Sequence, residues 1–292
     1  MEGNIGLHFY RGYYHDYFGP NKILERLKGK EKEQQEEAKK MNKKFTLYKD
    51  IMYNSNIKTD AKPVSLKTVY PGLYTGSGYT FGAGLQGEFQ QGFLFDYTTG
   101  LPYIPGSSVK GAIRSTFPNG AGKLKTRVPD YQNEHTNYIW NMITAKEFLA
   151  NELYYTPQLT SLSSKPEITV SQIELEIFEG RDITQEKEEK YYSIYKRDIF
   201  HDAYISETVS KGATKGKFLG LDYITPHGKN PLKNPTPLPF LKILPGVTIN
   251  FQFQLHDGYY LTAEGKKELF KRILLDFGIG AKTNVGYGQF SE

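Results

Sequence analysis

The chain has 292 residues, 38% hydrophobic and 24% charged, a balance typical of one large or two small globular domains. No run of 18 apolar residues occurs, and the N-terminal residues lack the basic and apolar regions of a secretory signal, so we expect no membrane association. The absence of cysteine excludes disulfides and thiolate metal sites and agrees with a cytoplasmic location. The net charge of +5 favours a polyanionic partner only slightly.

The N-terminal half predicts an early strand, several helices, and a strand and turn over 92–100 (GFLFDYTTG). Residues 4–18 are interpreted as a strand that leads into an aromatic loop. Residues 21–50 contain many good helix formers and little apolar surface, which predicts a solvated helix interrupted near Gly29. Residues 107–117 and 131–153 also predict helices.

The middle of the chain predicts strands separated by polar and proline-rich segments. Ile173, Leu175 and Ile177 alternate with polar residues, so we expect a strand over 169–178. Residues 196–205 are again typical of a strand. The five prolines of 225–239 exclude a central strand or a helix interior there.

The C-terminal third predicts a strand, a helix, a glycine-rich loop and a last strand. Residues 247–255 alternate without a break and predict a strand with one buried face. The following helix should end at Gly278, with Lys266 among its solvent-exposed positions. Together with the earlier strand–helix–strand unit, this order predicts an α+β, ferredoxin-like (RRM-like) βαββαβ fold, a common platform for RNA.

Several familiar motifs are excluded by their context. The stretch DFGIGAKT has Ala281 before Lys282 and follows a helix, so it is not a nucleotide-binding P-loop. The six histidines are scattered and do not have metal-ligand spacing, so we expect no metal site and no cofactor.

The start of the helix predicted over 107–117 has the composition of a phosphate-binding site. Pro105 and Gly106 form a turn, Ser107 or Ser108 is the candidate N-cap, and Lys110 and Arg114 share one face. Exposed N–H groups, hydroxyls and two cations suit phosphate, although a capped helix with solvated cations gives the same pattern.

The segment DFGIGAKTNVGYGQF, near the C-terminus, is the second candidate. Its glycines either permit tight turns or allow backbone N–H groups to follow a sugar–phosphate chain. In a ferredoxin-like fold we expect this loop to lie near the start of the first helix, so that the two segments line one groove.

Acid–base chemistry has two weaker candidates. His15 precedes Asp16 in an aromatic loop and suits a general base, although a surface histidine gives the same pattern. His201 and Asp202 are adjacent in a predicted strand, so they should point to opposite faces and not act together.

The segments LPYIPGSSVKGAIRSTF and GIGAKTNVGYGQF resemble the two signature segments of the RAMP superfamily of CRISPR proteins. With NIGLHFYRGYY, FDYTTGLPYIPGSS, RDIFHDAY and LDYITPH, the chain resembles, within that superfamily, the family of the sixth subunit of the Cmr (type III-B) RNA-targeting effector complex. The resemblance is strong over 70–118, 197–255 and 277–291. It implies a single RAMP domain over residues 1–292, with insertions at approximately 21–60 and 119–195.

The resemblance also implies a function in antiviral defence. Members of that family are non-catalytic subunits that bind crRNA near its 3′ end through the sugar–phosphate backbone. The implied partners are crRNA, target RNA, the repeating backbone RAMP subunit, the small helical subunit and the neighbouring terminal RAMP subunit.

The expected RNA-binding residues fall in three segments. The helix start contributes Gly106, Ser107, Ser108, Lys110 and Arg114. The C-terminal loop contributes Gly278, Gly280, Lys282, Thr283, Asn284, Gly286 and Tyr287, of which Tyr287 either stacks or packs. The basic segment SKGATKGKF contributes Lys211 and Lys215, for which a solvated loop is an equal alternative.

Two alternative functions remain open at this point. One is a metal-independent RAMP endoribonuclease that processes precursor crRNA with His15 or a tyrosine as acid–base. The other is a protein–protein module that caps a complex through the charged residues 21–50.

Overall fold

A computed structural model describes residues 5–12, 15, 27–47, 62–76, 93–120, 131–161, 165–184, 189–225 and 237–292. Most of the predicted proline-rich segment, residues 226–236, lies outside the described residues, as do parts of the charged segment 21–50.

Eight α-helices lie in the described residues, and five of them fall within residues 106–179. They are α1 (Ile5–Leu7), α2 (Glu31–Phe45), α3 (Gly106–Arg114), α4 (Tyr131–Thr144), α5 (Lys146–Leu149), α6 (Pro157–Thr160), α7 (Pro166–Glu179) and α8 (Ala263–Phe277). A π-helical turn follows α1 at His8–Gly12, and 3-10 turns lie at Ile194–Lys196 and Thr283–Val285. None of the described helices combines the length and the apolar character needed to cross a bilayer.

The strands of the described residues form one five-stranded sheet and two ribbons. They are β1 (Val64–Thr68), β2 (Tyr103–Ile104), β3 (Ile199–Phe200), β4 (Ala203–Glu207), β5 (Leu219–Ile224), β6 (Leu238–Ile243), β7 (Thr248–Phe251), β8 (Phe253–Gln254) and β9 (Phe290–Ser291). The sheet has the order β2-β4-β7-β1-β9, and β3-β8 and β5-β6 form the ribbons. All of these pairings are antiparallel.

The predicted ferredoxin-like fold is confirmed by this topology. The sequence β1-α3-β4-β7-α8-β9 follows the βαββαβ pattern, with β2 added beside β4 as an edge strand. The strand predicted over 247–255 is divided at Gln252 into β7 and β8, which belong to different sheets. Within β7, Ile249 and Phe251 are buried as the alternation predicts, but the polar Thr248 is buried as well. Helix α8 buries Leu269, Phe270, Ile273 and Leu274, begins at the cap residue Thr262 and ends at Gly278.

Two strand predictions are wrong. Residues 169–178 lie in α7, because Val170, Ile173 and Ile177 recur at helical spacing and are buried, whereas Leu175 is only half-buried. The strand predicted over 4–18 begins instead with α1 and the π-helical turn, in which Ile5 and Phe9 enter the core.

The prediction that Lys266 faces solvent is also wrong. Lys266 is 2% exposed, and its Nζ donates to Oδ2 of Asp198 at 2.7 Å. Helical spacing alone places Lys266 on the polar face of α8, but Asp198 comes from a distant segment and lies against that face. A buried charge is tolerated there because it is paired.

Helix α2 confirms the helix predicted within 21–50, but it is more than a solvated segment. Ala38, Met41 and Phe45 are buried on one face, and the rings of Phe9 and Phe45 meet at 5.6 Å between centroids. The turn at 27–29 precedes the helix, where Gly29 has a φ of +79°. The C-terminal half of the helix is therefore anchored to the core.

The sheet has two distinct ends. Strands β1 and β4 are both antiparallel to β7, so they run in the same direction. We call the end at which they finish, near Thr68 and Glu207, the exit end, and the end at which they begin, near Val64 and Ala203, the entry end. Because Phe290 of β9 pairs with Thr68, the segment between α8 and β9 lies at the exit end.

Candidate nucleic-acid interface

The Gly-rich loop, residues 278–289, is a closely packed segment. Gly278, Gly280, Gly286 and Gly288 all have positive φ angles, between 67° and 101°. The N–H of Ile279 donates to the carbonyl of Gly288 at 3.0 Å, and a Cβ added to Gly288 would overlap the carbonyl of Ile279. The glycines therefore let the two arms of the loop approach one another, which other residues cannot do.

The loop is also bonded to the turn that follows β1. The N–H of Gly288 donates to the carbonyl of Gly72 at 2.9 Å, and the N–H of Ala281 donates to that of Tyr74 at 2.8 Å. A Cβ on Gly280 would lie 2.5 Å from the carbonyl of Tyr74. Part of the glycine content thus serves tight packing, which was one of the two interpretations of the sequence.

The tip of the loop contains backbone donors without an acceptor in the described residues. Lys282 has φ 62° and ψ 33°, and it is the one non-glycine residue with positive φ in the part of the chain that the structure describes. Within the same residues, no group accepts a hydrogen bond from the N–H of Gly280, Lys282, Thr283 or Asn284. Successive N–H groups around a left-handed residue form a concave site for an anion.

Tyr287 packs and does not present a free ring. Its hydroxyl donates to Oδ2 of Asp222 at 2.7 Å, and its ring contacts Phe240 at 5.8 Å between centroids. Nζ of Lys242 donates to the same carboxylate oxygen at 2.6 Å and lies 5.8 Å from the centre of the Tyr287 ring. This cluster connects the loop to the ribbon of β5 and β6.

The cluster has perturbed acidities. Burial, followed by the hydrogen bond to Asp222, raises the pKa of Tyr287. Burial acts to raise the pKa of Asp222, but hydrogen bonds from Lys242, Tyr287 and the N–H of Tyr223 hold that pKa below its usual value. Asp222 is therefore ionised at neutral pH, and Lys242 balances its charge.

The basic segment with Lys211 and Lys215 lies at the same end of the sheet. It connects β4, which finishes at the exit end, to β5. Both lysines are exposed, and the N–H of Val209 closes the segment by donating to the carbonyl of Lys217 at 3.0 Å. The structure thus places these two cations at the end that carries the Gly-rich loop.

The start of α3 differs from its predicted form. The N-cap residue is Pro105, and Ser107 and Ser108 lie inside the first turn, so neither serine is the cap. The N–H of Gly106 donates to Oδ1 of Asp202 at 2.7 Å. A carboxylate of the protein itself therefore occupies the place expected for a phosphate.

The two cations of α3 face carboxylates and aromatic rings. Arg114 binds Glu179 through Nη2 at 2.5 Å and approaches the buried Glu174 through Nε at 3.4 Å. Nζ of Lys110 lies 5.8 Å from the centre of the Phe200 ring. Burial, followed by the proximity of Arg114, lowers the pKa of Lys110.

The helix start and the Gly-rich loop do not line one groove, and this expectation is wrong. Gly106 follows β2, whose Ile104 pairs with Ala203 at the entry end, whereas the loop lies at the exit end. Strands β2 and β9 are also opposite edges of the sheet, about 19 Å apart over four strand spacings. The extra strand β2 brings the chain back to the entry end before α3 begins.

The histidines do not assemble with acids into a metal-binding or catalytic group in the described residues. His201 and Asp202 lie between β3 and β4 and not within a strand. Asp202 accepts from the N–H of Gly106, and Nε2 of His201 is buried without a partner in these residues. His15 is exposed. No group of three or more His, Asp or Glu side chains suited to a metal ion occurs in the described part of the chain.

Comparisons with solved structures give similarities of low identity. A type III-B Cmr-beta complex bound to cognate target RNA has a chain with 23% identity and a TM-score of 0.40, matched over 78% of this chain and 56% of its own length. Cmr6 from Pyrococcus furiosus has 19% identity and a TM-score of 0.36, over 78% of this chain and 95% of its own. A Csm–crRNA–target RNA complex of type III-A has 17% identity and a TM-score of 0.25, over 72% and 49%.

Comparison with family models identifies the chain. No curated protein matches the sequence. The model of the RAMP superfamily matches residues 65–291, which include all five strands of the main sheet except the first residue of β1, together with α3 and the Gly-rich loop. The match covers well over half of the chain, so the chain belongs to the RAMP superfamily.

Proposed function

We propose that the chain is a non-catalytic, crRNA-binding subunit of a type III-B CRISPR effector complex, which holds the RNA through its sugar–phosphate backbone. The observation that carries this proposal is the tip of the Gly-rich loop. Three successive N–H groups, at Lys282, Thr283 and Asn284, and that of Gly280 have no acceptor in the described residues, and Lys282 carries an ammonium group. Phosphate oxygens are the acceptors that such a site fits best.

The surroundings of the loop support an anionic ligand. Lys211 and Lys215 add two exposed cations at the same end of the sheet, and Asp222, which is bonded to Tyr287 of the loop, is neutralised by Lys242. Backbone N–H groups and lysine ammonium groups bind phosphate whatever base is attached. We therefore expect backbone binding without sequence preference, with guide pairing supplying the sequence information.

Resemblance of the sequence segments to the sixth-subunit family supports the finer assignment. On that basis we place the subunit near the 3′ end of the crRNA. Its protein neighbours there would be the last repeating backbone subunit, the small helical subunit and the neighbouring terminal RAMP subunit. A cytoplasmic location follows from the same assignment.

The test is the salt dependence of binding to single-stranded RNA. Lys282→Ala should weaken binding by about 1–2 kcal/mol, roughly 5- to 30-fold, because it removes one charge-assisted contact. It should also reduce the slope of log affinity against log salt by about 0.7, the value for one phosphate contact on a single strand.

Lys196→Ala is the matched control. Lys196 is exposed and precedes β3 by three positions, and β3 leads into the start of β4 at the entry end. The control removes the same charge and should leave both affinity and slope unchanged. Affinity that is insensitive to salt in the unmodified protein would contradict the proposal.

The endoribonuclease remains the second candidate because His15 is exposed. Incubation with repeat RNA in EDTA tests it. A single discrete cut that is lost in His15→Ala would establish cleavage and contradict the non-catalytic assignment, whereas intact RNA agrees with it.

The protein-capping alternative is not tested well by deleting residues 21–50. Helix α2 contributes Met41 and Phe45 to the core, so deletion would destabilise the protein itself. Reversing the exposed charges Lys39, Lys40 and Lys43 to glutamate preserves that core. Loss of assembly with unchanged RNA affinity would favour the capping function.

A further inference from the structure

We propose that Tyr70 is an RNA-binding residue that stacks on a base of the strand held by the Gly-rich loop. This inference rests on the proposed function, and it adds a base-binding residue that the sequence did not indicate. Tyr70 is 84% exposed, although it lies two positions after Thr68, the buried end of β1, and precedes the buried Leu73 and Tyr74.

The turn that presents Tyr70 is held firmly on both sides. The N–H of Val69 donates to the carbonyl of Gln289 at 3.1 Å, and the N–H of Gly72 donates to that of Val69 at 2.7 Å. The carbonyl of Gly72 accepts from Gly288. The turn and the base of the Gly-rich loop therefore form one bonded unit, and the exposed ring is attached to a fixed support.

Tyr70 also lies beside the part of the loop that leads to the tip. Pro71, the next residue, lies close to Gly286, since a Cβ built on Gly286 would be 3.4 Å from Cδ of Pro71. The phenol of Tyr70 is close enough to contribute to the raised pKa of Tyr287. The exposed ring therefore lies near Tyr287, whose N–H donates to the carbonyl of Lys282 at the loop tip at 3.3 Å.

The two kinds of group complement each other for single-stranded RNA. The N–H groups and Lys282 suit a phosphate, and an exposed aromatic face suits the base attached to the same backbone, whatever its identity. Tyr287 is not available for this function, because its hydroxyl is bound to Asp222 and its ring packs on Phe240.

Charge favours RNA over a protein partner for this surface. The loop tip carries Lys282, and the segment with Lys211 and Lys215 lies at the same end of the sheet. Of the acids at that end, Asp222 is bound by Lys242 and Glu207 accepts from the hydroxyl of Thr248. An aromatic residue amid basic side chains and free N–H groups fits a polyanion with planar bases. A protein partner is the alternative outcome of the test.

The experiment compares two ligands of equal length and charge, a single-stranded RNA and an abasic chain without bases. Tyr70→Ala should weaken binding of the RNA roughly 5- to 150-fold, the range expected for loss of one stacked base, and leave binding of the abasic chain unchanged. Tyr70→Phe should retain the affinity because the ring remains. Tyr195→Ala is the matched control, since Tyr195 is 81% exposed at the opposite end of the sheet.

The outcomes separate this inference from the proposed function. Lys282→Ala should weaken both ligands. If Lys282→Ala weakens both ligands and Tyr70→Ala changes the affinity for neither ligand, the stacking function is overturned while the loop assignment stands. If Tyr70→Ala then also abolishes complex assembly, Tyr70 is assigned to a protein contact. If Tyr70→Ala weakens both ligands equally, its effect is structural and the inference is again overturned. If only Tyr70→Ala has an effect, confined to the RNA, stacking is supported and the loop assignment fails.

Discussion

The two segments with the composition of a phosphate site differ in whether their hydrogen-bond donors are already occupied by the protein itself. The start of α3 and the Gly-rich loop each combine glycine, hydroxyl groups and lysine, so the sequence ranks both as phosphate sites. At α3, acids of the chain itself bind the donors: Asp202 takes the N–H of Gly106, and Glu174 and Glu179 take Arg114. At the loop tip, four N–H groups remain without an acceptor in the described residues. The donors of a segment indicate a binding site only when its neighbours in space leave them unoccupied.

The largest expected effect comes from the packing of the loop. Gly288→Ala should lower the free energy of unfolding by about 3 kcal/mol, because the residue has a φ of +73° and the new Cβ would overlap the carbonyl of Ile279. Urea denaturation measures this loss. Gly212→Ala is the control: its φ is +83° but the space around it is open, so only about 1 kcal/mol of backbone strain is expected. Equal losses in the two variants would show that the loop is not tightly packed.

A smaller effect distinguishes the helix start as a structural site. Arg114→Ala should destabilise the protein by about 2 kcal/mol without changing RNA affinity, because it leaves the buried carboxylate of Glu174 without its cation. Adding Glu174→Gln should restore much of this loss, as removal of both charges is tolerated better than removal of one. A fall in RNA affinity at unchanged stability would instead assign Arg114 to the RNA.

The smallest effect is a difference in pH dependence between the two regions. Burial raises the pKa of Glu174 above 4.5 despite its bonds to Asn119 and Arg114, whereas the bonds to Asp222 hold its pKa below 3.8. The Asp222 contribution to stability is therefore present above its unfolded pKa and is lost as the pH falls through the folded value. The Glu174 contribution is present below its unfolded pKa and is lost as the pH rises through the raised value.

Denaturation as a function of pH measures both contributions. Asp222→Asn should reduce the dependence of stability on pH on the acid side of about 4. Glu174→Gln should reduce the loss of stability that sets in as the pH rises above about 4.5. The slope of stability against pH should thus fall in Asp222→Asn and rise in Glu174→Gln. Slopes that change in the same direction in both variants would contradict the contrast between the two regions.

The sequence predicts the fold better than it predicts the sites, and particular residues explain why. The alternation of β7, the apolar face of α8 and the cap at Gly278 are local signals, and the structure confirms each of them. The sequence predicts a strand over α7 because the spacing of Ile173 and Ile177 fits both a strand, with a period of two, and a helix, with a period of about 3.6. The burial of Val170, which is known only from the structure, shows that the helical period applies.

The site depends on contacts between segments that are distant in the sequence. Asp202 is 96 positions from Gly106, and Glu174 is 60 positions from Arg114, so no local pattern predicts that these pairs meet. The added strand β2 likewise moves the start of α3 to the entry end, away from the loop. Tyr70 carries no motif at all, and its signal is an exposure of 84% beside the loop.

Lysine footprinting of the unmodified protein, with and without single-stranded RNA, tests the central contrast most directly, because one experiment reports on both regions. The account predicts that bound RNA protects Lys282, Lys211 and Lys215 from acylation and leaves Lys110 and Lys196 as reactive as in the free protein. Protection of Lys110 with none at Lys282 would contradict it and would place the RNA at the helix start.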